Sequence, residues 1–151
     1  MESPTSARWE RLPSWLLTQT AGHAHRLVGD GFAAAEARGY HYRLLATLAA
    51  DGPASQADLG RRSGIHLSDM VAAINELADR AYVERTPDPT DRRRNVISLT
   101  PAGKRQLRRL EKRLAQTQDE LLAPLTPDER RDLTALLTKL LDHHGSPGGG
   151  K

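Results

Sequence analysis

Residues 87–103, PDPTDRRRNVISLTPAG, constrain what this chain can fold into more than any other stretch. An acid followed at once by three arginines, Asp91 to Arg94, lies between two runs fit for short strands, which predicts a β-hairpin with a charged tip. The outgoing run (Val96, Ile97, Ser98, Leu99) alternates in character. Thr100-Pro101 then starts a helix, with threonine at the cap and proline in the first turn. A hairpin that displays arginines and is fixed to a following helix has the shape and charge to enter a DNA minor groove.

Upstream lies a helix-turn-helix pattern, SQADLGRRSGIHLSDMVAAINELADRAYVER, over residues 55–85. Ser55 reads as an N-cap, Asp58 supplies the acid favoured in a first turn, and Gly64 closes that helix. A second helix is expected from Leu67 to Arg80. Around this pair we expect four more helices. The first spans about Pro13 to Arg38, bends near Gly31 and is ended by Gly39. The second covers about Tyr40 to Ala50 and stops at the turn Asp51-Gly52-Pro53. The fifth runs from Pro101 to about Leu122, with leucines at 107, 110, 114 and 121 forming a seam for another helix. Thr126 to Glu129 is a capping box that starts the sixth, which carries Leu133, Leu136, Leu137, Leu140 and Leu141. The tail over residues 145–151, GSPGGGK, is expected to be flexible.

At 151 residues the chain is one domain by length. Aromatic residues make up only 4% of it, so a core must be built mainly from leucine and alanine, which favours helices. The first, fifth and sixth helices hold more leucine than a small winged unit can cover. Left in water that surface costs roughly 25 cal/mol per Å², so a twofold dimer is expected. There are no cysteines, which excludes disulfides, thiol sensing and thiolate-bound zinc. No apolar signal segment or membrane span is present, which predicts a cytoplasmic protein without a membrane partner. No nucleophile elbow, zinc-protease motif or phosphate-binding glycine loop occurs, so an enzyme is not expected and no cofactor is implied. Of the six histidines only His25 and His41 are placed to approach one another, and no metal site is expected.

The D-x-R of the hairpin tip followed by L-T-x-x-G, behind the helix-turn-helix, resembles the MarR family of winged-helix bacterial transcription regulators over about residues 12–141. The resemblance implies a mainly α fold with a small β-hairpin wing. Its winged helix-turn-helix region is about 40–100, and its dimerisation region is built from N- and C-terminal helices at about 12–38 and 101–143. It also implies a homodimer that binds double-stranded DNA at a palindromic operator, acts as a repressor and is released by a small anionic or aromatic ligand. The alternative is an architectural DNA-binding protein without ligand-responsive output.

Site residues follow from the same pattern. Met70, Ile74 and Leu77 recur at helical spacing and should face the core. That leaves His66, Leu67, Ser68, Val71, Ala72 and Asn75 towards a major groove. None of them is an arginine able to fork onto guanine. Ser68 and Asn75 would hydrogen-bond to bases, while Leu67, Val71 or Ala72 would meet thymine methyls. Arg61 and Arg62 would supply phosphate or base contacts. In the wing, Arg93 is the minor-groove residue and Asp91 orients it, with Arg92 and Arg94 on phosphates. Residues 55–100 carry seven basic and seven acidic side chains, so the positive excess lies beyond, in Lys104, Arg105, Arg108, Arg109, Lys112 and Arg113. Similar regulators hold their ligand between the dimer helices and the winged region, which nominates Trp15, His41, Tyr42 and Arg43. Ala81 stands where such proteins usually have glycine, and a left-handed residue there costs alanine more than glycine, so a turn of different build is expected.

Overall fold

Three helices begin on a proline, whose fixed φ and missing N–H suit the first helical position. Pro13 opens α1 (Pro13–Ala33), Pro101 opens α5 (Pro101–Leu121) and Pro127 opens α6 (Pro127–Gly145). Between the first two lie α2 (Gly39–Asp51), β1 (Ala54–Ser55), α3 (Gln56–Ser63), α4 (Leu67–Asp79), β2 (Val83–Pro87) and β3 (Asn95–Leu99). A 3₁₀ turn, Trp9–Arg11, precedes α1. The computed structural model describes residues 8–145, so the expected flexible tail beyond Gly145 lies outside the described residues. The architecture is mainly α with one antiparallel sheet of order β1-β3-β2. β1, which sequence reasoning did not foresee, pairs Ala54 with Ile97 and Ser55 with Val96.

The described residues fall into two compact units, one reaching Thr117 and the other starting at Gln118. The core of the first unit is aliphatic, as the shortage of aromatics requires. Leu44, Leu45, Leu59, Met70, Ile74, Leu77, Ile97 and Leu110 are fully buried there. Leu107 and Leu110 belong to this core, so the α5 leucines do not all form a seam for a second helix. In the second unit the capping box is complete: Thr126 Oγ1 accepts from the Glu129 amide and Glu129 accepts from the Thr126 amide. That amide and hydroxyl hold the Glu129 carboxyl below its ordinary pKa. Leu136, Leu137, Leu140 and Leu141 on α6 are exposed.

The first helix is shorter than expected. It ends at Ala33 rather than near Arg38, and Gly39 begins α2 instead of terminating α1. The stop is a left-handed residue, Glu36, at φ 55°. Ala37 N–H donates to Phe32 O at 2.9 Å and Glu36 N–H to Ala33 O at 2.9 Å, the paired bonds of a Schellman cap. Nothing in a Glu at this position signals a left-handed turn, so the boundary was hidden. α4 ends the same way. Ala81 sits at φ 61°, Tyr82 N–H donates to Leu77 O and Ala81 N–H to Ala78 O, both at 2.9 Å. The turn is therefore not of the different build that an alanine there predicts: Ala81 adopts the left-handed conformation and bears its strain. An L-residue there costs about 1–2 kcal/mol, and glycine returns part of that gain as chain entropy. Ala81→Gly should raise stability by about 0.5–1 kcal/mol, or roughly 1–4 °C in a thermal melt. A melt unchanged or lower in the variant would show that Ala81 packing outweighs its strain.

The segment after α4 is stitched to the start of α5. Thr100 Oγ1 donates to Ala81 O at 2.6 Å and accepts from Gly103 N–H at 3.0 Å, while Thr100 N–H donates to Tyr82 O at 3.1 Å. Gly103 is needed because the chains touch: a β-carbon on it would lie 2.1 Å from Tyr82 O and 2.7 Å from Leu99 Cδ1. The L-T-x-x-G run thus fixes the wing strands, the exit of α4 and the root of α5 in one corner.

Candidate nucleic-acid interface

The α3–α4 pair is set by local chemistry. Ser55 Oγ accepts from Asp58 N–H at 3.2 Å, capping α3, and Gly64 turns left-handed at φ 67° to end it. α4 then buries Met70, Ala73, Ile74 and Leu77 as the helical spacing predicts. Its other face, carrying Leu67, Ser68, Val71, Ala72 and Asn75 with His66 just before it, is exposed. Leu67 is 66% exposed, a large apolar side chain left in water with no core role. All six residues proposed for the groove therefore lie outside the core.

Two neighbours alter the picture. Asn75 Oδ1 accepts a hydrogen bond from the guanidinium of Arg85 on β2. Arg85 did not figure among the expected contacts, because nothing in the sequence tells which strand residue will lie over α4. Arg61 and Arg62 are exposed but partnered, Arg61 by Asp58 and Arg62 by Asp51 at 3.7 Å.

The wing tip spans residues 88–94 and is closed by Asp88 N–H to Arg94 O at 2.9 Å. Asp88 Oδ1 accepts from the Thr90 amide and the Thr90 hydroxyl, both at 2.8 Å. Those two bonds, in that order, hold the Asp88 carboxyl below its ordinary pKa, with smaller help from the Asp91 amide and the Arg94 charge. A depressed carboxylate stabilises the turn above its usual titration range, and that contribution is lost as pH falls through the lowered value. Asp91 Oδ1 accepts from Arg93 N–H at 3.1 Å and lies 3.6 Å from Arg93 Nε. The second distance is an ion-pair contact rather than a hydrogen bond. The contact between Asp91 and Arg93 thus runs chiefly through the backbone of the turn. The Arg93 side chain is 95% exposed, and Arg92 and Arg94 are exposed beside it.

The four residues nominated for a ligand are not brought together within the described chain. Trp15 meets Trp9 edge-on at 5.0 Å, and Tyr42 stacks on Phe32 at 5.6 Å. Arg43 donates to Ser63 O and lies over the Tyr40 ring. His41 is buried, its Nε2–H donating to Glu76 Oε2 at 2.6 Å while Nδ1 accepts from Arg38 N–H at 3.3 Å. It ties α2 to α4, whereas His25 is exposed. His41 also borders a cleft of about 320 Å³ with Arg38, Glu76 and Arg80. Among the described residues no group of three or more His, Cys, Asp and Glu could hold a metal ion, and no helix is long and apolar enough to cross a membrane.

Comparison with known proteins agrees with this geometry. A family model described as MarR family matches residues 36–94, the helix pair and the wing tip. The chain is 31% identical over 99 residues to a putative transcriptional regulatory protein for the hcr operon of Thauera aromatica. That match takes in 66% of this chain and 60% of the Thauera protein. It is 25% identical over 154 residues, 97% of each chain, to the HTH-type transcriptional repressor NicR of Pseudomonas putida. Among solved structures it is similar to the PcaV transcriptional regulator of Streptomyces coelicolor in complex with its natural ligand. There the TM-score is 0.71 at 29% identity, over 94% of this chain and 98% of that one. The shared winged architecture and the matched helix pair and wing tip support the MarR family as the one this chain is similar to.

Proposed function

We propose that this chain is a sequence-specific transcriptional regulator that represses by binding a palindromic operator as a homodimer. The single observation that carries the proposal is the exposed face of α4 set beside a wing whose Arg93 is held out by Asp91. On this reading Leu67, Val71 and Ala72 meet thymine methyls in the major groove, with His66, Ser68 and Asn75 as polar contacts. Arg93 enters the flanking minor groove, and Arg92, Arg94, Arg61 and Arg62 lie on phosphates. The dimer is supported by the bare leucines of α6, which water would leave at a cost. Repression is supported by the name of the Pseudomonas relative, and binding of a small-molecule effector by the Streptomyces regulator solved with its natural ligand. On this reading the effector is anionic or aromatic and releases the DNA. Trp15, His41, Tyr42 and Arg43 remain the residues offered for that effector. Since they do not converge here, the second protomer would have to complete the pocket. An architectural protein would coat DNA without regard to sequence.

The test is selection of bound duplexes from a random pool, with sedimentation of the free protein. A palindromic consensus and a stable dimer at micromolar concentration are expected; equal affinity for random and selected duplexes, or a monomer, would defeat the reading. In the same assay Arg94→Ala should weaken all sequences about equally and flatten the dependence of log affinity on log salt by about one unit. A salt slope left unchanged would remove Arg94 from the phosphate contacts.

A further inference from the structure

α4 carries no arginine on its exposed face, yet the fold supplies one. Val83 is buried at the start of β2, and side chains alternate along a strand, so Arg85 shares the face of Val83. That face looks onto α4, and the Arg85 guanidinium reaches the Asn75 amide there. Arginine has donors and no acceptor, so the Asn75 oxygen must point at Arg85 whichever way the amide is drawn. The carbonyl is then engaged, and what the pair shows to solvent is mostly N–H: the free Asn75 amide hydrogens and the remaining guanidinium donors. Leu67, Val71 and Asn75 follow one another at four-residue spacing on one stripe of α4, and Arg85 extends that stripe by one side chain.

Resting on the DNA-binding reading above, we propose that Arg85 is a base-reading residue, oriented by Asn75, and that the pair selects a guanine in each half-site. The chemistry is that of the guanine edge. In the major groove guanine offers two acceptors, O6 and N7, which a guanidinium fork matches with two parallel bonds. Adenine offers one acceptor and one donor, and a donor-rich positive pair suits it poorly. Asn75 is a positioning residue in this arrangement: it holds the fork instead of reading adenine by itself. Leu67 and Asn75 are eight residues apart, about 12 Å along a helix, which is three to four base steps. The guanine should therefore lie that far from the thymine met by Leu67.

The experiment selects bound duplexes with the full chain and with Arg85→Ala, Arg85→Lys and Asn75→Ala. Affinities are then measured on the parent's selected duplex and on copies changed one base pair at a time. The parent should prefer guanine at one position per half-site by about 10- to 100-fold. Arg85→Ala should lose that preference and keep the others. Arg85→Lys retains the charge without the fork and should lose the preference too, with the parent's salt slope. Asn75→Ala should relax the same position in part. The proposal fails if Arg85→Ala weakens every duplex equally and flattens the salt slope by about one unit, since Arg85 would then be a phosphate contact. It also fails if Arg85→Ala selects the parent's bases unchanged. If the parent selects no sequence at all, the regulator reading itself falls; if the parent selects a site and Arg85→Ala selects the same one, only this inference falls.

Discussion

Arg93→Ala should lower operator affinity by about 10- to 100-fold and relax the preference for A·T pairs at the flanks. A narrow A·T minor groove concentrates negative potential, and an inserted guanidinium is what reads it. Asp91 decides whether orientation or charge matters more. Removing an acid from beside phosphates should tighten binding if only charge counts. In the structure, however, Asp91 holds the Arg93 amide at 3.1 Å, and that bond sets the turn. Asp91→Ala should therefore weaken operator binding about fivefold to tenfold, the worth of one hydrogen bond, while binding to random duplex holds or improves. Asp91→Asn keeps an oxygen for the same amide without the charge, so it should bind the operator at least as well as the parent. Pairing Asp91→Ala with Arg93→Ala should cost little beyond Arg93→Ala alone, since residues that act together are not additive. If Asp91→Ala matched the parent on the operator, Asp91 would have no part in aiming Arg93.

Gly103→Ala should be the most damaging alanine substitution among the described glycines. The new carbon would stand 2.1 Å from a backbone oxygen, Tyr82 O, so no rotamer change relieves it. Either α5 or the segment after α4 must shift, and Thr100 ties both through its bonds to Ala81 O and the Gly103 amide. Overpacking of this kind costs about 3 kcal/mol, or roughly 6–12 °C in melting temperature for a chain of this size. Because the corner also carries the wing strands, operator affinity should fall further than the stability loss explains. A variant that melts within about 2 °C of the parent would show that the corner yields easily.

Much of this was legible in the chain because the signals were local. Ser55 with Asp58, Thr126 with Glu129 and Gly64 act within one turn, and each did what its spacing predicts. The buried stripe Met70, Ile74 and Leu77 followed from periodicity alone. What stayed hidden depends on residues distant in sequence. The end of α1 rests on a left-handed Glu36, a conformation that glycine or asparagine advertises and glutamate does not. Leu107 and Leu110 have the spacing of a helix–helix seam, and only the fold shows that the wing-side core claims them. Arg85 and Asn75 are ten positions apart and meet because a strand crosses a helix. The burial of His41 and its link from α2 to α4 through Glu76, 35 positions away, had no local signal either.

The bare apolar stripe of α4, Leu67 and Val71, has a consequence for discrimination in the cell. Contacts to phosphates fade as ionic strength rises, because each counterion released into saltier solution gains less entropy. Contact between a leucine and a thymine methyl rests on expelled water and is largely indifferent to salt. On the proposed reading, concentrated salt should therefore weaken this protein's grip on all DNA while leaving the part of the grip that tells sites apart. A cell under osmotic stress would hold fewer of these molecules on its DNA, and those that remained would be found at the right places.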